Sequence, residues 1–243
     1  MRGFPHTALF KYMKLYEIIA PCHFGMEAIL KREIYDLGYD IKQVEDGRVT
    51  FLGDAEAVVR ANIFLRSAER VLLCLGRFKA ESFEELFQGV KAIAWEDILP
   101  ENARFWVKKA STAKSKLFSS SDIQSIVKKA IVERLKRQYR IEWFKEDGEA
   151  YPLRVFIYKD EVTIALDTTG ESLHKRGYRK MTAKAPVSET LAAAMIMLTP
   201  WKADRILVDP FCGSGTFPIE AAMIGANIAP GMNREFTDRK SVV

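Results

Sequence analysis

The segment from Ile206 to Phe217 constrains the fold of this chain more than any other. Three apolar residues lead into Asp209-Pro210, and a Gly-Ser-Gly turn then opens an apolar helix. In open α/β sheets, ligands bind at such junctions, beyond the carboxyl end of a strand. The pattern predicts a strand at Ile206–Asp209 and a ligand-binding loop after it. Only 26 of the 243 residues follow Phe217, so we expect an incomplete doubly wound domain.

The residue types of this loop suit a bound small molecule. Backbone N–H groups at a helix N-terminus bind carboxylates and phosphates. Gly213 and Gly215 permit a left-handed backbone and the close approach of a ligand, and Asp209 can accept hydrogen bonds from an ammonium or hydroxyl group. The loop matches neither G-x-G-x-x-G nor the phosphate-loop pattern, whose lysine it lacks. An ordinary strand-to-helix turn is the alternative.

The composition excludes several classes of protein. Hydrophobic residues make up 48% of the chain, which is typical of folded proteins, and no run approaches the roughly 18 apolar residues of a membrane span. Residues 1–12 lack the features of a secretory signal. Cys22, Cys74 and Cys212 are scattered and odd in number, which favours a reducing cytoplasm over a disulfide framework or metal site. The three histidines are too far apart in the sequence to indicate a ligand set.

Residues 14–78 show strand and helix patterns in the order β-α-β-β-α-β, which is typical of a ferredoxin-like fold. Asp46-Gly47 predicts a hairpin between strands at Ile41–Glu45 and Arg48–Leu52. Asp54 is placed to cap the helix that follows.

The middle of the chain is strongly basic. Capping boxes predict helices beginning at Ser82 and at Ser121. The stretch from Arg104 to Lys145 contains 12 Lys and Arg residues and three acidic residues. Its net charge is therefore +9, which leaves −4 for the rest of the chain. This asymmetry indicates a lobe that binds a polyanion. For any single lysine, a solvated helix face is the alternative.

At Asp209–Thr216, Asp-Pro-Phe-Cys-Gly-Ser-Gly-Thr, the chain resembles motif I of class I S-adenosylmethionine-dependent methyltransferases. The version is that of bacterial RNA methyltransferases with a THUMP domain, often labelled N6-adenine-specific DNA methylases. Further similar stretches are residues 20–27, 114–122, 167–179 and 185–194, so the resemblance covers about residues 13–237. Relatives of this character methylate N2 of a guanosine in large-subunit ribosomal RNA.

The resemblance implies an α/β chain with an α+β N-terminal half. The expected order is a ferredoxin-like domain (14–60), a THUMP RNA-binding domain (61–168), a linker (169–185) and the start of a Rossmann-like methyltransferase domain (186–237). Residues 238–243 are unlike the family and match a translated sequencing adapter, so we expect a non-native tail. The family's catalytic loop, Asn or Asp followed by Pro-Pro-Tyr, does not occur. We therefore expect a truncated domain with no catalytic residue and no methyl transfer by this chain.

Two sets of binding residues are predicted. The set for the cofactor S-adenosylmethionine comprises Asp209, Pro210, Cys212, Gly213, Ser214, Gly215, Thr216, Pro186, Ser188, Glu189 and Thr190. The set for RNA comprises Lys108, Lys109, Lys114, Lys116, Lys128, Lys129, Lys136, Arg137, His174, Lys175, Arg176 and Arg179. The helix that begins near Ser188 also has an apolar face, so a purely structural role is the alternative for its polar residues. For the basic run from His174, a hinge with solvated charges is the alternative.

The expected function of the full-length parent is methyl transfer to RNA, with guanosine N2 of 23S ribosomal RNA as the target. The expected partner is ribosomal RNA, with tRNA as the alternative, and neither a membrane nor a metal is expected. A hypothesis from another class is an RNA-binding module without catalysis. A third hypothesis, a DNA adenine N6-methyltransferase, shares the cofactor loop but gives no reason for the basic lobe.

Overall fold

The computed structural model describes residues 15–179 and 186–234. Contacts divide the mixed α/β chain into two compact units, one combining residues 1–71 with 169–243 and the other formed by 72–168. The expected tail at 238–243 lies outside the described residues, as do 180–185 of the expected linker. The predicted domain boundaries stay predictions. Among the described residues, no helix is long and apolar enough to cross a membrane.

The first unit begins with a three-stranded antiparallel sheet in the order β2-β3-β1 and two helices. Its elements are β1 (Tyr16–Pro21), α1 (Glu27–Asp36), β2 (Ile41–Glu45), β3 (Arg48–Gly53) and α2 (Ala55–Phe64). The predicted hairpin is confirmed, with Gly47 in the left-handed region at φ +73°. The Asp54 cap is also confirmed, because its carboxylate accepts a hydrogen bond from the Ala57 N–H at 2.9 Å. Ile18, Leu30 and Phe51 are fully buried in the core of this part.

The second unit contains four strands and two α-helices, of 10 and 20 residues. Its elements are β4 (Leu72–Lys79), α3 (Phe83–Ala92), β5 (Arg104–Ala113), α4 (Ser120–Tyr139), β6 (Ala150–Tyr158) and β7 (Glu161–Asp167). The strand order is β4-β7-β6-β5, with β5 and β6 parallel and the other pairs antiparallel. Parallel strands need a long crossover connection, which α4 provides between β5 and β6. Trp95 and Phe105 are the largest fully buried side chains of its core.

The start of α4 differs from the prediction. Ser119, rather than Ser121, is the N-cap, and its hydroxyl accepts a hydrogen bond from the Asp122 N–H at 3.4 Å. Three consecutive serines offer three capping hydroxyls, so the sequence alone does not determine which one ends up outside the helix. The apolar face of α4 is as expected, with Ile123, Val127 and Ala130 fully buried.

The first unit is completed by residues after β7. The described part of the expected linker, 169–179, packs against the N-terminal elements: Leu173 is 1% exposed, and the Thr169 hydroxyl donates to the Asn62 side chain at 2.9 Å. Helices α5 (Glu189–Leu198) and α6 (Thr216–Gly225) follow and pack against each other. After α6 the chain returns to α2, where the Gly231 N–H donates to the Ile63 carbonyl at 2.8 Å.

The ion pair between Glu96 and Arg134 makes the stability of the second unit pH-dependent. Two hydrogen bonds from the guanidinium, at 2.7 and 2.5 Å, lower the pKa of Glu96 from 4.5 to about 2. Since the folded pKa is depressed, the stabilisation is complete above pH 4.5 and is lost as the pH falls toward 2. We expect Glu96→Gln to lower the free energy of unfolding by about 1 kcal/mol at pH 7 and by progressively less below pH 4.5 in urea titrations. Exposed Glu101→Gln is the control, and an equal effect of both variants at pH 7 would contradict the assignment.

Candidate functional site

The Asp209–Thr216 loop forms the predicted turn in front of α6. Gly213 and Gly215 both lie in the left-handed region, at φ +53° and +76°. The Gly215 N–H donates to the Cys212 carbonyl at 2.8 Å, and an oxygen of Asp209 accepts from the Phe211 N–H at 3.1 Å. These local hydrogen bonds define a tight loop whose end is the N-terminus of a ten-residue helix.

The strand predicted at Ile206–Asp209 is wrong, since these residues have no regular secondary structure. Ile206 is 91% exposed and Phe211 is 93% exposed. A strand needs a neighbour that completes its hydrogen bonds, and no described residue pairs with this segment. Pro210, Cys212 and the adjoining loop residues are therefore open to a ligand.

The second predicted cofactor segment begins α5, and its residues differ in accessibility. Pro186 is exposed and Ser188 is half-buried, whereas Glu189 and Thr190 are buried at 4% and 0% exposure. The Ser188 hydroxyl caps the helix by accepting from the Leu191 N–H at 3.4 Å. The side chains of Glu189 and Thr190 are therefore buried inside the protein, whereas Pro186 is accessible to a ligand.

Arg179 connects the two predicted cofactor segments. Its Nε lies 2.9 Å from a carboxylate oxygen of Glu189, the first residue of α5. Its Nη2 donates to the hydroxyl of Thr216, the first residue of α6, at 2.8 Å. One guanidinium thus joins the starts of both helices.

Glu220, one turn inside α6, is fully buried and is bound by the residues that precede Arg179. The Tyr178 hydroxyl donates to it at 2.9 Å, and the Arg176 Nε lies 3.6 Å from the same oxygen. Burial raises the pKa of Glu220, while Arg176 and Tyr178 oppose that rise. Burial and the nearby carboxylate likewise raise the pKa of Tyr178. These contacts attach α6 to the segment around residues 176–179.

Sequence reasoning missed a polar cluster centred on Glu69. The Thr190 hydroxyl donates to the Glu69 carboxylate, His23 lies 3.1 Å from the same oxygen, and His174 lies 3.5 Å from the other. His23 also contacts the Ser188 hydroxyl at 3.0 Å. No spacing in the sequence could have indicated this cluster, because His23 and His174 are far apart along the chain. Even so, the described residues contain no group of three potential ligands arranged to hold a metal ion.

The predicted RNA-binding residues divide between the two units. In the second unit, all eight are exposed: Lys108 and Lys109 on β5, Lys114 and Lys116 after it, and Lys128, Lys129, Lys136 and Arg137 on α4. Two of them have acidic partners: Lys116 forms an ion pair with Glu81, and the Lys128 ammonium lies 3.6 Å from the Glu146 carboxylate. Phe118, which the prediction did not include, is 81% exposed beside this group. Basic groups with an exposed aromatic ring suit phosphates and stacked bases.

The four residues in the first unit differ from this pattern. Lys175 is exposed and His174 is half-buried. Arg176 is only 3% exposed, and its guanidinium donates to the Leu173 and Arg66 carbonyls at 2.9 and 2.6 Å. This burial argues against direct RNA contact by Arg176, and the contacts of Arg179 argue the same. The helical and strand periodicities that locate exposed residues do not apply to this irregular segment, so the sequence could not distinguish inward from outward arginines.

Comparisons with known proteins agree with this architecture. Three families match successive parts of the chain: the RlmL ferredoxin-like domain (residues 17–72), the THUMP domain (80–167) and the RMKL-like methyltransferase domain (176–241). A Bacillus subtilis (strain 168) protein named putative RNA methyltransferase YpsC is 51% identical over 226 residues, covering 92% of this chain and 58% of that protein.

Solved structures show the same similarity. The crystal structure of a possible methylase from Clostridium difficile 630 is 57% identical with a TM-score of 0.89, covering 92% of this chain and 59% of that one. SMU.472, a putative methyltransferase crystallised with SAH, is 47% identical with a TM-score of 0.86 and the same coverage of both chains.

The glycine loop lies within the part of the chain that matches a methyltransferase domain, and this part follows a ferredoxin-like and a THUMP domain, as expected for the start of a Rossmann-like methyltransferase domain. The three matches follow one another in the order expected for methyltransferases that carry a THUMP domain, which confirms the resemblance to that family. The chain spans less than two thirds of the length of these relatives.

The left-handed backbone of the loop can be tested at Gly215. Gly215→Ala forces a side chain into a conformation that costs roughly 1–2 kcal/mol, although its Cβ would meet Ile219 only at 3.6 Å. We expect lower stability and faster hydrogen exchange of the Ile219 amide, whose N–H donates to the carbonyl of residue 215 at 3.0 Å. Gly225→Ala is the matched control, because that glycine ends the same helix without a positive φ and its Cβ would make ordinary contacts at 3.4 Å. Equal exchange in the two variants would contradict this account.

Proposed function

We propose that the complete protein carrying this chain transfers a methyl group from S-adenosylmethionine to RNA, with N2 of a guanosine in 23S ribosomal RNA as the target. The observation that carries the proposal is the left-handed glycine loop at the N-terminus of α6 in a chain that also has a cluster of exposed lysines and arginines on β5, after it and on α4. The similarity to SMU.472, which was crystallised with SAH, supports the choice of cofactor.

The loop fits the amino-acid end of that cofactor. Partial positive charge and unpaired N–H groups at the start of α6 favour a carboxylate. A Cβ added at Gly213 would meet no atom closer than 3.9 Å, so the space beside this glycine is open. Asp209 can accept hydrogen bonds from the amino group. When bound, S-adenosylmethionine supplies a methyl group on a positively charged sulfur.

The predicted cofactor residues have different parts in this proposal. The exposed residues of the loop and Pro186 would contact the cofactor directly. Glu189 and Thr190 would act indirectly, because both are buried and their side chains bind Arg179 and Glu69. No residue of this chain is proposed as catalytic, since Asn or Asp followed by Pro-Pro-Tyr does not occur in it.

We propose that the second unit provides the RNA affinity. The eight predicted RNA-binding lysines and arginines of this unit, all exposed, would bind phosphates, and Phe118 would stack on an unpaired base. A DNA adenine N6-methyltransferase would use the same cofactor loop but would leave this cluster of cations without a role. An RNA-binding module without catalysis would use the unit equally well, so methylation itself has to be tested.

The RNA contact can be tested on α4. Changing Lys128, Lys129, Lys136 and Arg137 to Glu should weaken binding to structured RNA by at least about tenfold, since log affinity depends steeply on the number of phosphate contacts. Filter binding of the 243-residue chain across salt concentrations measures both the affinity and the salt slope. Exchanging Lys for Arg and Arg for Lys at the same positions preserves charge and should preserve affinity. An RNA affinity that changes neither with salt concentration nor with the reversed charges would exclude an electrostatic origin of binding.

The target can be tested by mapping RNA modifications in cells. Deleting the intact gene should remove one N2-methylguanosine from 23S ribosomal RNA, and restoring the complete gene should return it. Loss of an N6-methyladenine from DNA would favour the DNA methyltransferase instead. Binding of RNA with no modification lost from any nucleic acid would favour the module without catalysis.

A further inference from the structure

Arg179 is placed as an internal contact rather than as a surface cation. Its side chain is only 15% exposed, and its partner Glu189 is 5% exposed by the same measure. A guanidinium and a carboxylate buried together stabilise each other, and removal of either leaves a costly buried charge. The basic run that begins at His174 therefore includes a residue whose charge is already balanced inside the protein.

The partners of Arg179 belong to both cofactor segments. Besides Glu189 and Thr216, its Nη2 lies 3.4 Å from the Val187 carbonyl. Thr216 directly follows left-handed Gly215 and is 4% exposed, so its hydroxyl is held within the protein next to the loop. Movement of either helix start would break at least one of these contacts.

The geometry requires an arginine. A guanidinium presents five donors in a planar fork and can meet a carboxylate and a hydroxyl in different directions at once. A lysine ammonium is a point charge on a flexible stem and could keep only part of this arrangement. The N-terminal part of the loop has little packing support of its own, since Ile206 just before it and Phe211 within it are almost fully exposed.

We infer that Arg179 is a positioning residue that holds segments 186–190 and 209–216 at the separation needed to bind the cofactor. This inference rests on the proposed cofactor role of those segments. It assigns Arg179 to the organisation of the methyl-donor site, and it leaves Lys175 as the exposed cation of the same run.

The first test measures how Arg179→Gln changes cofactor and RNA affinity in the complete gene product. We expect S-adenosylhomocysteine affinity in calorimetry to fall by about tenfold, as for the loss of one charged hydrogen bond, with RNA affinity unchanged. Arg179→Lys should lie between wild type and Arg179→Gln. Lys175→Gln is the matched control and should leave cofactor affinity unchanged. Loss of RNA affinity with normal cofactor affinity in Arg179→Gln would overturn the inference.

A second test needs no cofactor and separates this inference from the proposed function. The amides of Gly215 and Ile219, which donate to the Cys212 and Gly215 carbonyls, should exchange faster in Arg179→Gln than in wild type, whereas the core of the second unit should exchange at the same rate. If the Gln variant does not fold, Arg179→Lys takes its place. Unchanged exchange in the loop would contradict the positioning role. Failure of wild type to bind S-adenosylhomocysteine would instead contradict the proposed function, whatever the exchange shows.

Discussion

The buried guanidinium of Arg176 connects three segments of the first unit that lie far apart in the sequence. It donates to the Arg66 carbonyl after α2 and to the nearby Leu173 carbonyl, and it forms an ion pair with Glu220 in α6. A buried charge is tolerated only when it is paired and hydrogen-bonded. The N-terminal elements, residues 169–179 and α6 must therefore assemble together to satisfy this one group.

The same requirement explains why a polar segment is not a flexible linker in its described part. In residues 174–179, Arg176, Tyr178 and Arg179 bind carboxylates of the first unit, while Lys175 stays exposed. Arg234 adds to this arrangement by donating to the Ser172 carbonyl at 2.7 Å. The composition of residues 174–179 is typical of an RNA-binding segment, but most of their charged side chains join the parts of the first unit.

Features that depend on neighbouring residues were predicted well from the sequence. The Gly47 hairpin and the Asp54 cap each need only a few consecutive residues, and both formed as expected. The start of α4 was displaced because Ser119 and Ser121 compete for one role. The strand at Ile206–Asp209 was wrong because strand formation depends on a partner that local apolar character does not supply.

The candidate site divides in the same way. The glycine turn was predictable because φ at Gly213 and Gly215 is a local property. The polar cluster at the start of α5 was not, because Glu69, His23 and Thr190 meet only after distant segments have packed. Burial also changes the chemistry of a residue type, as Arg176 shows when compared with exposed Lys175. An arginine in a basic run cannot be assigned to RNA until its exposure is known.

The two proposed binding functions reside in different units, and this has a physical advantage. RNA binding needs exposed cations, which stay hydrated and repel one another, as do those on α4. A cofactor loop needs a rigid support of paired charges, such as Arg179 with Glu189 and Arg176 with Glu220. The two demands conflict when they occur close together, because an additional cation near a buried ion pair repels its arginine and competes for its carboxylate. Most of the exposed cations of the described residues lie in 72–168, and the buried carboxylates of α5 and α6 keep their arginine partners.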